Sequence, residues 1–511
     1  MGNGRFIMLR IILGLFLAIF FSAAAAVAEP VQIRIMSFNI WYGGEQVNFD
    51  KIIEAIKKAD ADIVGLQEPD GNTLKIAALA GYPYADVRRH IISKFPLFDS
   101  GVGERTEQTN PPYSIAGVDS NAVHAWVEIA PGKVIAVANT HLTSDPYGPE
   151  LVRDGKTAEE VLQNETDTRL PEAQALADGL SGLAKSGAPV FLTGDFNSPS
   201  YFDWTEAVMK VRPAVKFPVE WPVSKLMTDS GFTDSYRAAH PDPVKNPGLT
   251  WTAGYPHPYV RETETFDRID FIWAANAQTV SSEIIGEQGN PEVSIPVTPW
   301  PSDHRSVVST FMVTPIDTPA LVAVEPSPVV SGQTFIIRVN SPAHANWSAI
   351  VVPRGGDPAK EAMTGIKDIA PGDRPSIKLS TIGFEPGRYD AVMLDSEGKE
   401  LARNRFSIVA ADAKATISVT QPVVKTGGDI AVAWSGAPGF RFDWVGVYRK
   451  NEPSVYNYLG FVYTGARHEG ELTFPAASLY EELEPGDYEV RLMHDDHYAT
   501  LAIAPFSVIS P

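Results

Sequence analysis

Six short groups of polar residues lie between residues 37 and 304, and each contains side chains that bind metal ions or move protons. Carboxylates and amides offer the hard oxygen ligands that Mg²⁺ prefers, and histidine exchanges protons near neutral pH. Together the groups could hold a divalent cation, orient a water molecule and donate a hydrogen bond to a developing negative charge. The groups are Ser37-Phe38-Asn39, Gln67-Glu68, Asn139-Thr140-His141, Gly194-Asp195-Phe196-Asn197, Asp267-Arg268-Ile269-Asp270 and Ser302-Asp303-His304.

Most of these groups adjoin apolar runs whose length and composition are typical of buried strands. Polar side chains at strand ends can converge in a crevice while the strands themselves stay rigid. The pattern therefore predicts an α/β domain with one site at the ends of its strands. The strand-like runs are residues 31–38, 62–66, 134–138, 190–193 and 269–273.

The ordered series resembles the endonuclease/exonuclease/phosphatase superfamily, which includes deoxyribonuclease I, apurinic endonucleases, neutral sphingomyelinases and inositol polyphosphate 5-phosphatases. The resemblance covers residues 31–313, with the six groups in the expected order. It implies a four-layered α/β sandwich, in which two sheets pack face to face with helices outside. It also implies a single metal-dependent site for phosphoester hydrolysis at one end of the sheets.

The metal ligands implied by the resemblance are oxygen donors. Glu68 is expected to be the main ligand, assisted by Asn39 and Asp303. Mg²⁺ typically takes only one or two protein carboxylates and keeps several waters, so this small set suits it. We therefore expect Mg²⁺ as the cofactor, with Mn²⁺ as a possible substitute.

Asp195 and Asn197 are the candidates for holding the attacking water. They are two residues apart, so an extended backbone would turn both side chains to the same face. A carboxylate and an amide there could orient one water molecule, with Asp195 as the base or water-orienting group.

Two histidines complete the predicted catalytic set. His304 is expected to donate a hydrogen bond to the reacting phosphoryl group, provided that a carboxylate holds its other ring nitrogen. Asp267 and Asp270 both flank the Arg-Ile pair, so either could be that carboxylate, and Asp270 is favoured. His141 resembles the superfamily's second histidine, which contacts the phosphate or assists the leaving group.

The first residues have the features of a removed secretion signal. Arg5 and Arg10 precede the apolar run Ile11–Phe21, and small residues lead to a cleavage site near Ala28. The run is too short to span a bilayer, so no stable membrane span is expected. The chain has no cysteine, so no disulfide stabilises it, and a bacterial periplasmic or secreted location is predicted.

The region after a proline-marked linker at residues 314–319 contains an internal repeat. Short strand-like runs recur with Gly/Pro turns, and three features recur at offsets of 94, 97 and 99 residues. We therefore predict two tandem all-β, immunoglobulin-like sandwiches, with Trp347 and Trp444 as matching core residues. The paired features are Pro328-Val329-Val330 with Pro422-Val423-Val424, Trp347 with Trp444, and Glu385–Tyr389 with Glu484–Tyr488.

These observations predict four segments: a signal peptide at residues 1–28, a catalytic domain at 29–314, and β-sandwich modules at 320–411 and 413–511. The modules are expected to act as spacers or to contact a cell surface or a polymer, because a fold alone specifies no ligand. The protein is expected to be a monomer.

Charge decides between substrate classes. The formal net charge is −20, and removing the two signal arginines makes it more negative. The segment Leu142–Asp167 holds seven acidic side chains and two basic ones, which disfavours a nucleic-acid backbone. We expect a phosphodiester or phosphomonoester with a small or lipid headgroup. The alternatives are a secreted endonuclease or deoxyribonuclease, a sphingomyelinase-like phospholipase C, and a surface-binding protein with an inactive catalytic scaffold.

Overall fold

The computed structural model describes most of the chain. The predicted signal peptide lies outside the described residues. Within the described part, no helix is long and apolar enough to cross a bilayer. The described residues are 29–86, 89–99, 124–252, 265–325, 329–340, 346–370, 376–437, 443–455, 457–464, 467–494 and 499–510.

The catalytic region contains two sheets, and in the described residues each has seven strands. The first sheet has the order β12-β11-β13-β1-β2-β4-β3. Its strands are β1 (Val31–Asn39), β2 (Ile63–Gln67), β3 (Tyr84–Asp86), β4 (Ile91–Ser93), β11 (Ala277–Glu287), β12 (Val293–Val297) and β13 (Ser306–Val313).

The second sheet has the order β5-β6-β7-β8-β10-β9, with β14 paired to β7. Because β14 pairs with β7, the chain stays with this sheet three residues beyond the predicted domain end at residue 314. The strands are β5 (Leu97–Asp99), β6 (His124–Ala130), β7 (Lys133–His141), β8 (Val190–Asp195), β9 (Thr233–Asp234), β10 (Asp270–Ala275) and β14 (Ile316–Asp317).

Helices cover the outer faces of both sheets, which completes four layers. The first sheet packs on α1 and α2, and the second packs on α5 and α7, each through its own apolar core. The predicted fold class is confirmed for this region. The helices are α1 (Phe49–Ala59), α2 (Thr73–Ala80), α3 (Gly148–Arg153), α4 (Ala158–Asp167), α5 (Arg169–Lys185), α6 (Glu206–Met209), α7 (Pro222–Asp229) and α8 (Ser235–Ala239).

The inner faces of the two sheets meet in a third core, to which Ile35, Ile63, Val137, Phe191 and Ile272 contribute. All five side chains are fully buried or nearly so. Strands buried on both faces need continuous apolar runs rather than alternation. This is why β2 and β8 are apolar until their last residues, where the polar groups begin.

A glycine lets the sheets approach closely beside the site. A Cβ atom on Gly65 would lie 1.9 Å from Thr193 Oγ1 and 2.6 Å from Asn139 Oδ1. Asn139 uses this proximity to join the sheets: its Oδ1 accepts from Gln67 Nε2 at 2.6 Å, and its Nδ2 donates to the Leu66 carbonyl at 2.7 Å. A larger residue at position 65 would separate the strand ends that carry the site.

Two β-sandwiches follow, and their strand orders correspond one to one. Each pairs a three-stranded sheet with a five-stranded sheet: β15-β17-β20 with β16-β22-β21-β18-β19, and β23-β25-β28 with β24-β30-β29-β26-β27. The predicted tandem β-rich fold is confirmed.

The strands of the first sandwich are β15 (Leu321–Glu325), β16 (Val329–Val330), β17 (Thr334–Asn340), β18 (Trp347–Pro353), β19 (Thr364–Ile369), β20 (Ser376–Ser380), β21 (Gly387–Asp395) and β22 (Glu400–Val409). Those of the second are β23 (Thr416–Val419), β24 (Val423–Lys425), β25 (Ile430–Ser435), β26 (Trp444–Arg449), β27 (Gly460–Tyr463), β28 (Gly470–Phe474), β29 (Gly486–His494) and β30 (Ala499–Ile509).

The tyrosines of the repeated Glu-Pro-Gly-X-Tyr turn fix the structural alignment of the two sandwiches. Tyr389 donates its hydroxyl to the Glu385 carbonyl, and Tyr488 donates to the Glu484 carbonyl in the same way. On the neighbouring strand, Tyr389 lies opposite Pro353 and Tyr488 lies opposite Arg449. The β18 and β26 strands therefore correspond at an offset of 96 residues, which follows from these two pairs.

This register corrects the predicted match of the two tryptophans. Trp347 corresponds to Asp443, and Trp444 corresponds to Ser348. Since a one-residue shift moves a side chain to the other face of a strand, the two tryptophans point in opposite directions. Trp347 lies in the core between the sheets, as predicted. Trp444 is buried instead on the outer face of the five-stranded sheet, so its predicted place in that core is wrong.

Candidate active site

The parallel ends of β1 and β2 bring the first two polar groups together. Asn39 ends β1 beside Gln67, the last residue of β2, and Glu68 follows. The Asn39 Nδ2 atom donates to Glu68 Oε1 at 3.0 Å and to Asp195 Oδ2 at 2.9 Å. The Tyr42 backbone amide donates to the other Glu68 oxygen at 2.9 Å. Asn39 thus holds carboxylates from the two sheets on either side of one amide.

Three site residues of the second sheet lie opposite one another on neighbouring strands. His141 ends β7 opposite Asp195, the last residue of β8, and Asp195 lies opposite Asp270, the first residue of β10. The His141 Nε2 atom lies 3.5 Å from Asp195 Oδ2 and 4.0 Å from Glu68 Oε1. The buried Asp195 carboxylate is therefore at the centre of the cluster.

His304 and Asp270 form a buried pair beside Asp195. The Nδ1 atom of His304 lies 2.9 Å from Asp270 Oδ2, and its Nε2 atom lies 3.5 Å from Asp195 Oδ2. Burial alone would lower the pKa of His304, but the charges of Asp270 and Asp195 outweigh it and raise that pKa well above its usual value. The Nε2 atom of His304 faces the centre of the site, where a protonated imidazole can donate a hydrogen bond.

The structure decides between the two candidate partners of His304. Asp267 is buried among other groups: its Oδ1 accepts from Trp204 Nε1 at 3.0 Å and from Arg212 Nη2 at 3.1 Å. Its backbone pairs with Trp251. Asp270 holds the His304 imidazole, and Asp267 holds the surrounding segments in place.

The tryptophans around His304 are a feature that sequence reasoning missed. The Trp251 ring lies 4.8 Å from the imidazole, centroid to centroid, and the Trp300 indole donates to the His304 carbonyl at 2.8 Å. In the sequence, Trp251 is only one of several aromatics in a loop-like stretch. Its role is visible only once its backbone bridges Asp267 and His304.

Asn197 departs from its predicted geometry. Its backbone φ is 47°, so the segment after Asp195 turns and is not extended. The backbone N–H of Asn197 donates to Asp195 Oδ1 at 2.9 Å, and its side-chain Nδ2 donates to the Leu142 carbonyl at 2.9 Å. The inference that both side chains share a face through extended backbone is wrong. Asn197 instead fixes the Asp195 carboxylate and the chain after His141.

Comparison with known proteins gives the family. A family model described as "Endonuclease/Exonuclease/phosphatase family" matches residues 36–304, which is more than half of the chain. The chain belongs to the endonuclease/exonuclease/phosphatase family. Members of this family are hydrolases that act on phosphoesters, and they generally use a divalent metal.

Individual proteins are also similar to this chain. The Caenorhabditis elegans "Uncharacterized protein F14F9.5" is 29% identical over 296 residues, which is 55% of this chain and 91% of that protein. An endonuclease/exonuclease/phosphatase from Beutenbergia cavernae is 15% identical, with a TM-score of 0.35 over 74% of this chain and 99% of that one. An AP endonuclease from Archaeoglobus fulgidus is 20% identical, with a TM-score of 0.33 over 54% and 98% of the two chains.

The donor set of this family member fits a divalent cation. Among the described residues, ligand atoms of Asp195, Asp270 and His304 lie within 4.8 Å of one another. Asp270 Oδ2 and His304 Nδ1 are also hydrogen-bonded to each other at 2.9 Å. Glu68, linked to Asp195 through the Asn39 amide, offers carboxylate oxygens at the more open side, where its side chain is 18% exposed.

The pKa of Asp303, the third predicted ligand, is affected by the carboxylates of the site. Its pKa is raised to about 7, first by burial and then by the negative charges of Glu68 and Asp195, although His304 opposes the shift. A cation stabilises the charged forms of carboxylates that act on one another in this way. Asn39 contacts both Glu68 and Asp195, and Ser302, which precedes Asp303, donates its hydroxyl to the Asn39 carbonyl at 2.7 Å.

The acidic segment after His141 is largely helical, and at least one of its acidic side chains, Glu165, is neutralised by an arginine outside the segment. It contains α3 and α4 and is not one long loop. Arg169, from α5, pairs with the buried Glu165 at 2.7 Å and donates to the Ser144 and Pro146 carbonyls. Glu172 accepts from the Thr143 amide at 2.9 Å and from its hydroxyl at 2.7 Å. These bonds hold the chain beside His141 in one conformation.

Proposed function

We propose that the protein is an exported, metal-dependent phosphoesterase that hydrolyses a phosphodiester or phosphomonoester by in-line attack of water. One observation carries the proposal. Asn39, Glu68, His141, Asp195 and the Asp270–His304 pair, which come from two different sheets, converge within hydrogen-bonding or ion-pairing distance.

The residues divide the work by position. Asp195 orients the attacking water and accepts its proton, because its buried carboxylate is held by Asn39 and by the Asn197 amide. His304 donates from Nε2 to the phosphoryl oxygens as negative charge develops, and Asp270 keeps the imidazole charged and oriented.

His141 lies on the open side of Asp195, where it can contact the phosphate or the leaving oxygen. Glu68, with Asn39 and Asp303, would hold the metal. Bound Mg²⁺, or Mn²⁺ in its place, supplies charge neutralisation for the phosphoryl oxygens.

The favoured substrates are compact phosphoesters, with a small or lipid headgroup rather than a nucleic acid. The net charge of −20 supports this choice, because polyanion binding depends on clustered basic side chains. Export is supported by the amino-terminal sequence, with cleavage expected near Ala28 and a periplasmic or secreted product.

An activity panel tests the proposal. DNA, RNA, sphingomyelin, phosphoinositides and small phosphodiesters would be assayed side by side with Mg²⁺ at about 0.15 M salt. The expected result is the highest kcat/KM on a compact phosphoester. Faster cleavage of duplex DNA would replace this proposal with a secreted nuclease, and no hydrolysis of any substrate would favour a binding protein with an inactive scaffold. Amino-terminal sequencing of the protein from culture fractions tests export, and an uncleaved cytoplasmic protein would contradict it.

A further inference from the structure

The cleft above the catalytic cluster has a second wall, which comes from the second β-sandwich. Glu68, His141 and Thr143 line one side of a pocket, and aromatic residues of β26, of β27 and of the segment between them line the other. We call Trp444, Tyr458, Phe461 and Tyr463 the aromatic face. These residues are some 300 positions or more beyond His141 in the chain, yet they border the same pocket.

Strand alternation creates this face. Phe461 and Tyr463 are two residues apart on β27, so they share one side of the strand, whereas Val462 between them joins the core. On β26, Trp444 lies opposite Tyr463 and Gly446 lies opposite Phe461.

Gly446 allows the rings to gather. A Cβ atom on it would lie 2.7 Å from the Trp444 ring and 2.8 Å from the Tyr448 ring. Tyr458 then packs edge to face on Trp444 at 5.3 Å and on Phe461 at 5.4 Å, centroid to centroid. The face is therefore ordered by its own packing and does not depend on a ligand for its shape.

The pocket continues outward past the same rings. A neighbouring cavity of about 270 Å³ shares Thr143, Phe461 and Tyr463 with the first and extends between Asp145 and Tyr480. Phe461 and Tyr463 are half-buried, and Tyr480 is 49% exposed. The continuous cleft thus leads from the catalytic cluster along exposed aromatic surface.

We propose that the aromatic face binds the organic part of the substrate, and that this part carries an uncharged ring. The inference rests on the proposed phosphoesterase function and specifies its substrate class. Aromatic side chains stack on flat or apolar ring faces. A phosphate at Glu68 and His141 would place its substituent against Phe461.

Charge and size exclude two other classes of substituent. Asp145, Asp167 and Glu172 line the outer cavity, so a second anionic group would be repelled or would have to shed its charge. The cavity volume of about 270 Å³ lies just below the usual range for small-molecule sites, about 300–1,000 Å³, and residues of two domains border it. A single ring fits this space, and a duplex does not.

Two ligands without a hydrolysable P–O ester bond, which differ only in the ring, provide the test. Methyl(phenyl)phosphinate and ethyl(methyl)phosphinate both mimic a phosphodiester monoanion, and calorimetry with Mg²⁺ measures each Kd on the full chain. The wild-type protein is expected to bind the phenyl compound about 10-fold more tightly, which corresponds to one stacked ring. Phe461→Leu keeps an apolar side chain at the position and should abolish most of that preference.

A matched variant controls for nonspecific effects. Ile503 is 53% exposed on β30 of the same sheet and does not line the cleft, so Ile503→Ala should leave both affinities unchanged. Equal binding of the two phosphinates by the wild type, or a phenyl preference that survives Phe461→Leu, would overturn the inference. Failure of the proposed catalysis is a separate outcome: no phosphoester is hydrolysed, while a Phe461-dependent ring preference would still establish the site.

Discussion

The floor and the wall of the cleft are built on different principles. The floor consists of buried polar side chains that hold one another, such as Asn39 with Asp195 and Asp270 with His304. The wall consists of aromatic rings from a separate sandwich, and they pack mainly on one another. Groups that bind reacting atoms must be fixed against each other, whereas groups that select a substituent only need to present a surface. The difference teaches that chemistry and selection can be altered separately in this molecule.

Metal removal is expected to have the largest effect, and it acts on the floor alone. The predicted floor residues are carboxylates, amides and histidines, with no lysine or arginine among them, so nothing would replace the positive charge of the cation. Exhaustive chelation should abolish hydrolysis, and Mg²⁺ or Mn²⁺ should restore it. The phenyl preference in phosphinate binding should largely survive. Full turnover in the chelated protein would show that the floor has another mechanism.

Variants of Asp270 and Asp267 distinguish a catalytic role from a structural one. Asp270→Asn should lower kcat by roughly 10² to 10⁴ with a nearly unchanged Tm, because the imidazole loses the group that charges and orients it. Asp195→Asn and His304→Ala should cost similar factors.

Asp267→Asn is the matched control, since Asp267 contacts Trp204 and Arg212 instead of His304. It should leave kcat within a few-fold and lower stability by about 1–3 kcal/mol. Thermal unfolding and steady-state kinetics on both variants check the assignment. A reversed pattern would mean that Asp267 serves the histidine.

A third change alters the wall without touching the floor. Gly446→Ala adds a methyl group where the Trp444 and Tyr448 rings leave no space, so the aromatic face must shift. We expect KM for a ring-bearing substrate to rise about 3- to 10-fold while kcat stays the same, because only binding of the substituent is lost. A fall in kcat with constant KM would indicate that the wall also positions the phosphate.

The smallest effect on turnover concerns Glu172, which lies between floor and wall. Burial raises its pKa from 4.5 to about 7, so between these values the folded protein binds more protons than the unfolded chain does. Its contribution to stability is full below pH 4.5 and is lost as pH rises through about 7, by roughly 3 kcal/mol. Glu172→Gln should flatten this decline. Urea unfolding at several pH values measures it, and an unchanged slope would contradict the assignment.

The floor could be predicted from the sequence because its residues follow directly from strand ends. Asn39, Glu68, His141 and Asp195 each end or follow a strand, and register alone brings them together. The turn at Asn197 could not be predicted, since its φ of 47° depends on bonds to distant atoms such as the Leu142 carbonyl. The choice between Asp267 and Asp270 also needed coordinates, because both suit the same pattern.

The wall was beyond sequence reasoning for a different reason. Its position depends on how a module more than 300 residues away packs on the loop after His141, and no local pattern encodes that packing. Matching the repeats by sequence placed Trp444 in the core, whereas the structure places it on the outer face of its sheet. The loops between the repeated features differ in length, so the offset between matching residues changes along the chain. A shift of one residue is enough to exchange the core and the surface of a strand.

The opposed directions of Trp347 and Trp444 have a consequence for how selectivity could be redesigned. A sandwich uses one face of its five-stranded sheet for its own interior, and the opposite face is spare. In the first copy the spare face carries the aliphatic Ile350 and Val352, and in the second it carries rings. Exchanging outward-pointing side chains of the β26–β27 hairpin, such as Phe461, is therefore expected to change which substituent the cleft accepts, while the reaction centre keeps its contacts. Tyr463 would be retained, because it also packs against the core of the module.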